Sequence, residues 1–206
     1  NTIRFTRNTP DMTAASSIRQ ANSGSYDFYL ALHSNASADG SREGTVRGVI
    51  AFYYPGSANG KRAADIFVRN LKDIYPLPDK VYTSATIALG EVRQPYMPSV
   101  LLELGYHDNT ADALWVENNL EAIAANLVLS LTEYFGLPFV VPLTPWRGTV
   151  RTQGSPLNLR AAPALNSAVV TTMPSGAPVT VYGRYQDWYT VGYNGLLGYA
   201  FADYIT

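Results

Sequence analysis

The sequence predicts an α/β domain, a mostly parallel sheet flanked by helices, followed by a second, small all-β barrel. Three observations carry this. Two apolar β-type runs, Leu30 to Leu32 and Ser99 to Leu104, read as buried strands. Long segments of helical periodicity separate and follow the β-type runs, which is the rhythm of an α/β layer fold. After residue 148 that periodicity stops, and short β-type runs alternate with turn signals.

Taken in order, Ile3 to Thr6 reads as a short strand and Thr9-Pro10-Asp11 as a turn. Thr13 to Asn22 reads as a short helix capped by Thr13. Tyr26 to His33 and Val46 to Tyr54 are strand candidates, the second stopped by Pro55-Gly56-Ser57. Ser57 then caps a helix to about Tyr75, with Ala63, Ile66, Phe67, Leu71 and Ile74 on one face. Pro76 and Pro78 end it. Ser99 to Leu104 is a strand. Asn109 starts a long helix to Phe135, whose buried stripe is Leu120, Ile123, Leu127, Leu131 and Tyr134. Gly136 closes that helix, and Pro138 prevents its continuation.

Residues 137–148 hold three prolines within Leu137 to Pro145 and read as a stiff linker. The domains expected are therefore 1–136, α/β, and 149–206, all-β. In the second, Ala168 to Val170, Pro178 to Tyr182 and Trp188 to Val191 are separated by Ser175-Gly176, Gly183-Arg184 and Asn194-Gly195. Asn-Gly between β-type runs is a strong hairpin signal.

Composition excludes several classes. The chain is 206 residues, 47% hydrophobic and 15% charged, the balance of a folded protein. A net charge of -1 provides no field to gather nucleic acid or anionic lipid. No apolar run approaches the ~20 residues of a membrane span. Without cysteine there is no disulfide, thiolate metal site or thiol nucleophile. The chain begins with Asn and shows no signal peptide, which points to a processed or engineered start.

Each of the two buried runs contains one polar group that an apolar environment does not explain. In Leu30-Ala31-Leu32-His33-Ser34-Asn35-Ala36 it is His33. In Ser99-Val100-Leu101-Leu102-Glu103-Leu104-Gly105-Tyr106 it is Glu103. Near the carboxyl ends of two strands of an open α/β sheet, both would face the crevice where such sheets hold ligands. Imidazole is a zinc ligand, and a nearby carboxylate can act as base in metal-assisted hydrolysis. The bland readings are a strand-end histidine with a polar partner and a Glu103 salt-bridged to Arg93 or Arg19. His107, four residues past Glu103, reads as an exposed loop histidine. Asn35 either orients His33, touches substrate or serves ordinary turn chemistry. Ser34 lacks a convincing His/Asp pair. Most of Tyr182, Tyr185, Trp188, Tyr189 and Tyr199 should be barrel core.

The two runs also resemble a known family, the zinc-dependent N-acetylmuramoyl-L-alanine amidases that cut bacterial peptidoglycan. Ala31 to Ala36 is similar to its Ser/Ala-x-His-x-Asn-Ala segment. Pro98 to Tyr106 with Asn109 is similar to its Pro-x-Val-Leu-x-Glu-x-Gly-Phe/Tyr segment and following Asn. Arg19-Gln20-Ala21-Asn22 resembles a helix end that precedes the His strand. The resemblance covers roughly residues 1–136. It implies His33 as a zinc ligand, Glu103 as the catalytic carboxylate and Asn35 as a substrate contact. The family's metal site resembles two His and one Glu, the first His in a Gly-His-Gly loop and the Glu on the first helix. Neither segment is present, and no His or Glu stands upstream of His33. The expectation is a chain lacking the front of its domain, with an incomplete zinc site and poor amidase activity.

Residues 149–206 have a resemblance of their own. Leu157 to Pro163, Trp188 to Val191 and Gly198 to Ile205 are similar to segments of bacterial SH3-type cell-wall modules. Such modules bind peptidoglycan or accompany enzymes that act on it. Together the two resemblances imply a secreted, wall-associated peptidoglycan hydrolase. The alternative from another class is a non-catalytic peptidoglycan-binding protein built on an inactive amidase scaffold.

Overall fold

The structure is a computed structural model that describes residues 14–37 and 42–206. The expected strand Ile3 to Thr6 and the Thr13 cap lie outside the described residues. Two compact units divide between Phe135 and Gly136.

In the first unit, four strands form one sheet in the order β1-β4-β2-β3: β1 (Tyr29–Asn35), β2 (Val49–Tyr53), β3 (Val81–Ala85) and β4 (Ser99–Tyr106). β1–β4 and β2–β3 are parallel, and β2–β4 is antiparallel. The sheet is thus mixed, with two of its three pairings parallel.

Helices cover both faces. α2 (Ala58–Leu71) begins where Ser57 Oγ accepts the Gly60 amide at 3.0 Å, satisfying one of the donors that a helix start leaves open. Its apolar stripe puts Ala63, Phe67 and Leu71 out of water against Val49, Ala51, Val100 and Leu102 of the sheet. Each fully buried Leu or Phe contributes about 1.5–3 kcal/mol. α2 ends at Leu71, short of Tyr75, and the chain continues in turns before the prolines.

The long helix expected from Asn109 is two helices. α4 (Thr110–Asn118) is capped by Asn109, whose side chain accepts from the Asp112 amide, and α5 is Leu120–Phe135. Asn119 makes the break. Its backbone leaves helical geometry, while its side-chain amide donates to the Trp115 carbonyl at 2.8 Å. An Asn that offers the backbone a competing bond disfavours a helix interior. The break corrects the stripe: Ile123, Leu127 and Tyr134 are buried, but Leu120 is 62% exposed.

On the other face, α3 (Gly90–Arg93) lays Val92 over Ala31 and Leu101, and α1 (Ala14–Asn22) packs against α3. Asn22 ties the two together, donating to the Gln94 carbonyl and accepting the Tyr96 amide. No helix among the described residues is long and apolar enough to cross a membrane.

The second unit is one antiparallel six-stranded sheet in the order β5-β8-β9-β10-β6-β7. Its strands are β5 (Val141–Thr149), β6 (Leu157–Arg160), β7 (Val169–Met173), β8 (Pro178–Tyr185), β9 (Trp188–Tyr193) and β10 (Leu196–Phe201). Here the linker reading of 137–148 needs correction, because Val141 onward is strand. The prolines are tolerated because β5 is an edge strand with an irregular register between Pro142 and Trp146. Gly183-Arg184 is no turn either. It sits at a bulge inside β8, and the turn falls at Gln186-Asp187.

Asn194-Gly195 joins β9 to β10, with φ +49 and +77 as a two-residue hairpin turn of the primed type requires. The core is aliphatic: Val150, Leu159, Met173, Val181, Val191 and Ala200 are at 0% exposure. The expectation of an aromatic core therefore fails. Of its five aromatics only Trp188 is buried, and Tyr182 is 43% exposed.

Candidate active site

β1 and β4 are parallel neighbours in register, and His33 stands directly opposite Glu103. Alternation along each strand puts both on the face of Ala31 and Leu101, the face that α3 covers. Parallel strands end at the same edge of a sheet, so both groups lie towards the carboxyl ends of their strands.

Glu103 is half-buried. Its Oε2 is out of water and meets no hydrogen-bond partner among the described residues. Burial pushes its carboxyl above the usual carboxylate range, against the opposing pull of His33 and His107. Among the described residues, the charged groups acting on it are His33, His107 and Glu91, with no arginine. The salt bridge to Arg93 or Arg19 is therefore not the arrangement formed.

His33 is part-exposed, and its Nε2 lies 2.9 Å from Glu91 Oε2. That bond raises the imidazole above its ordinary value, although burial opposes it. Glu91 is 7% exposed and is held below the usual range by the His33 bond against the effect of burial, with Tyr29 O–H as a further donor at 2.8 Å. Sequence reasoning missed Glu91. A four-residue helix has no periodicity, and the only available signal was a carboxylate between Gly90 and Val92 in a segment otherwise shaped by apolar contacts.

The remaining residues gather at the end of β1. His107 is exposed, but its loop returns to β1: its amide donates to the Asn35 carbonyl at 2.9 Å. Its Nδ1 lies 3.1 Å from Ser34 Oγ and 3.2 Å from the Ser34 carbonyl. A ring nitrogen that donates to that carbonyl is no base for the Ser34 hydroxyl. Asn35 Oδ1 accepts the Ala36 amide, and the ladder register shifts between His33 and Asn35.

The donor chemistry suits zinc, which takes imidazole nitrogen and carboxylate oxygen. Glu103 Oε2, buried without a partner, is the kind of group such a centre would use. The number of donors is smaller than zinc requires. No group of three or more metal-binding side chains gathers among the described residues.

A mixed α/β sheet with a facing imidazole and carboxylate thus precedes an antiparallel β unit in the chain. Residues 1–133 match the N-acetylmuramoyl-L-alanine amidase family and residues 155–206 match the bacterial SH3 domain. The first match spans more than half of the chain, which belongs to the N-acetylmuramoyl-L-alanine amidase family.

Solved structures agree. The catalytic domain of the CD27L endolysin targeting Clostridia difficile is 25% identical, with a TM-score of 0.50 over 58% of this chain and 62% of that one. The N-acetylmuramoyl-L-alanine amidase from Clostridium difficile 630 is 19% identical, with a TM-score of 0.52 over 61% and 66%. The catalytic domain of CwlV, from Bacillus (Paenibacillus) polymyxa var. colistinus, is 19% identical, with a TM-score of 0.51 over 61% and 67%. The last two establish the fold alone. This chain spans about three fifths of the endolysin domain's length. No curated protein is significantly similar to it.

Proposed function

We propose that the protein is a peptidoglycan hydrolase, cleaving the amide bond between N-acetylmuramic acid and the L-alanine of the stem peptide with the aid of zinc. The observation that carries this reading is Glu103 Oε2, buried without a partner among the described residues and on the residue that faces His33 across the β1–β4 ladder. His33 would hold the metal together with ligands from outside the described residues. When bound, zinc supplies a Lewis acid for the scissile carbonyl.

Glu103 takes a proton from the attacking water at Oε2 and returns it to the departing amine of the stem peptide. Its raised pKa suits both halves of that task, since a more basic carboxylate is the better acceptor near neutral pH. In this reading Asn35, at the end of β1, contacts substrate. The second unit supplies affinity for the wall, and the protein acts outside the cell on peptidoglycan. Both family matches support that partner.

The test is incubation of purified peptidoglycan with the protein and zinc, reading newly exposed L-alanine amines. Release that depends on both zinc and Glu103 supports the proposal. Amines appearing at another stem position would sink the assigned bond. One observation favours the rival reading of a non-catalytic wall-binding protein: no group of three or more metal-binding side chains gathers among the described residues. Wall binding without amine release would establish that rival.

A further inference from the structure

We propose that Glu91 is the positioning residue of this site: it fixes the neutral His33 ring with Nε2 as proton donor and leaves Nδ1 as the nitrogen with a free lone pair. The inference rests on the reading of His33 as a metal ligand and adds which ring nitrogen serves.

The argument begins with what a carboxylate can do. An ionised Glu only accepts hydrogen bonds. Both oxygens of Glu91 are used, Oε1 by the Tyr29 hydroxyl at 2.8 Å and Oε2 by His33 Nε2 at 2.9 Å. Neutral imidazole carries one proton, so a proton committed to Nε2 leaves the lone pair on Nδ1. Carboxylates that take the second ring N–H of a ligating His generally fix its tautomer and orientation and raise its basicity.

Glu91 is itself held firmly. Its neighbour Val92 is 2% exposed against Ala31 and Leu101, and the Val92 carbonyl accepts the Ser99 hydroxyl at 2.9 Å. Tyr29 and His33 project from the same face of β1, so one strand presents both donors to one carboxylate.

The experiment reads the tautomer directly, by two-bond 15N–1H correlation of the imidazole in the metal-free 206-residue chain, at a pH high enough to leave His33 uncharged. The wild type should show the Nε2–H form in about tenfold excess, as expected for a bond to a charged acceptor. In Glu91→Gln the side-chain amide offers a donor as well as an acceptor, and the excess should collapse. Tyr29→Phe keeps the Glu91–His33 bond and should retain it. Glu91→Asp, one methylene too short to reach, replaces the Gln variant if that one fails to fold, and should lose the excess as well. A wild-type Nδ1–H form, or an unchanged ratio in the folded Glu91 variant, overturns the proposal. The tautomer is read without zinc or substrate, so absence of peptidoglycan cleavage counts against the hydrolase reading alone.

Discussion

His33 and Glu103 stand opposite one another across a parallel ladder, each on its own strand. Their relation is fixed by backbone register. Sequence-distant groups, one on the part-exposed strand β1 and one on the buried strand β4, thereby become immediate neighbours on one face of the sheet.

The first prediction concerns Glu103→Gln. Gln keeps the shape but cannot take a proton. Hydrolysis by zinc-supplied protein should fall by about 10²–10⁴-fold, the usual contribution of a positioned general base. Zinc content should stay at the wild-type level. The melting temperature should stay level or rise, because the variant removes a carboxylate that burial disfavours. Parallel loss of zinc would recast Glu103 as a ligand.

A second prediction concerns metal uptake by the 206-residue chain itself. A catalytic zinc needs three protein ligands and one open position. The sequence holds two histidines, and no group of three or more metal-binding side chains gathers among the described residues. Elemental analysis after zinc loading and dialysis should find clearly less than one zinc per chain, with weak amidase activity. Stoichiometric zinc with strong release of stem peptide would overturn the ligand count.

The third is a pH dependence set by Asp112. This residue is fully buried and accepts from Tyr75 O–H at 2.6 Å, Arg47 Nε at 2.8 Å, and the Gly48 and Tyr106 amides at 3.1 Å. Burial alone would raise its carboxyl, yet these donors hold it below the usual range. A carboxylate held low binds fewer protons folded than unfolded. Its contribution is therefore full above the unfolded value of about 3.9 and fades as pH falls through the folded one. Asp112→Ala should cost about 3–5 kcal/mol at pH 7, as when one partner of a buried pair is removed. In urea unfolding the wild-type advantage should shrink below about pH 4. An advantage that persists undiminished in acid would contradict the assignment.

A fourth tests the hairpin turn of the second unit. Gly195 has φ +77 with open space around its missing Cβ. Gly195→Ala should therefore cost only the backbone strain, about 1 kcal/mol. Thermal melting of the second unit should show it, with the first unit unmoved.

Much of this architecture was legible because it depends on local pattern. The β1 and β4 runs, the Ser57 cap, the stripe of α2 and the Asn194-Gly195 turn each follow from neighbouring residue types. The pairing of His33 with Glu103 was legible because each interrupts an apolar β-type run, although only β4 is buried as expected: in β1 Ala31 alone is buried and Leu32 is 53% exposed. What remained hidden depends on distant partners. Glu91 gains its role from Tyr29 and His33, 62 and 58 positions away in the sequence, and Asp112 from Arg47 and Tyr75. The edge strand from Val141 was hidden by its prolines, which read as linker when no partner strand is in view. The aliphatic core of the second unit was hidden by its many tyrosines, which signal bulk without saying on which face they lie.

Gly105 lies between Glu103 and Asp112 in the chain, and a Cβ there would stand 3.2 Å from the Asp112 Cβ, on a backbone with φ +82. The strand that presents the candidate catalytic carboxylate thus ends against the side chain that accepts from Tyr75, Arg47 and the Gly48 and Tyr106 amides. A genetic screen for lost activity would return Gly105 and Asp112 beside Glu103, and the three phenotypes would look alike on a plate. Protein abundance would separate them: Glu103 mutants accumulate as folded but silent protein, whereas the other two disappear from the cell.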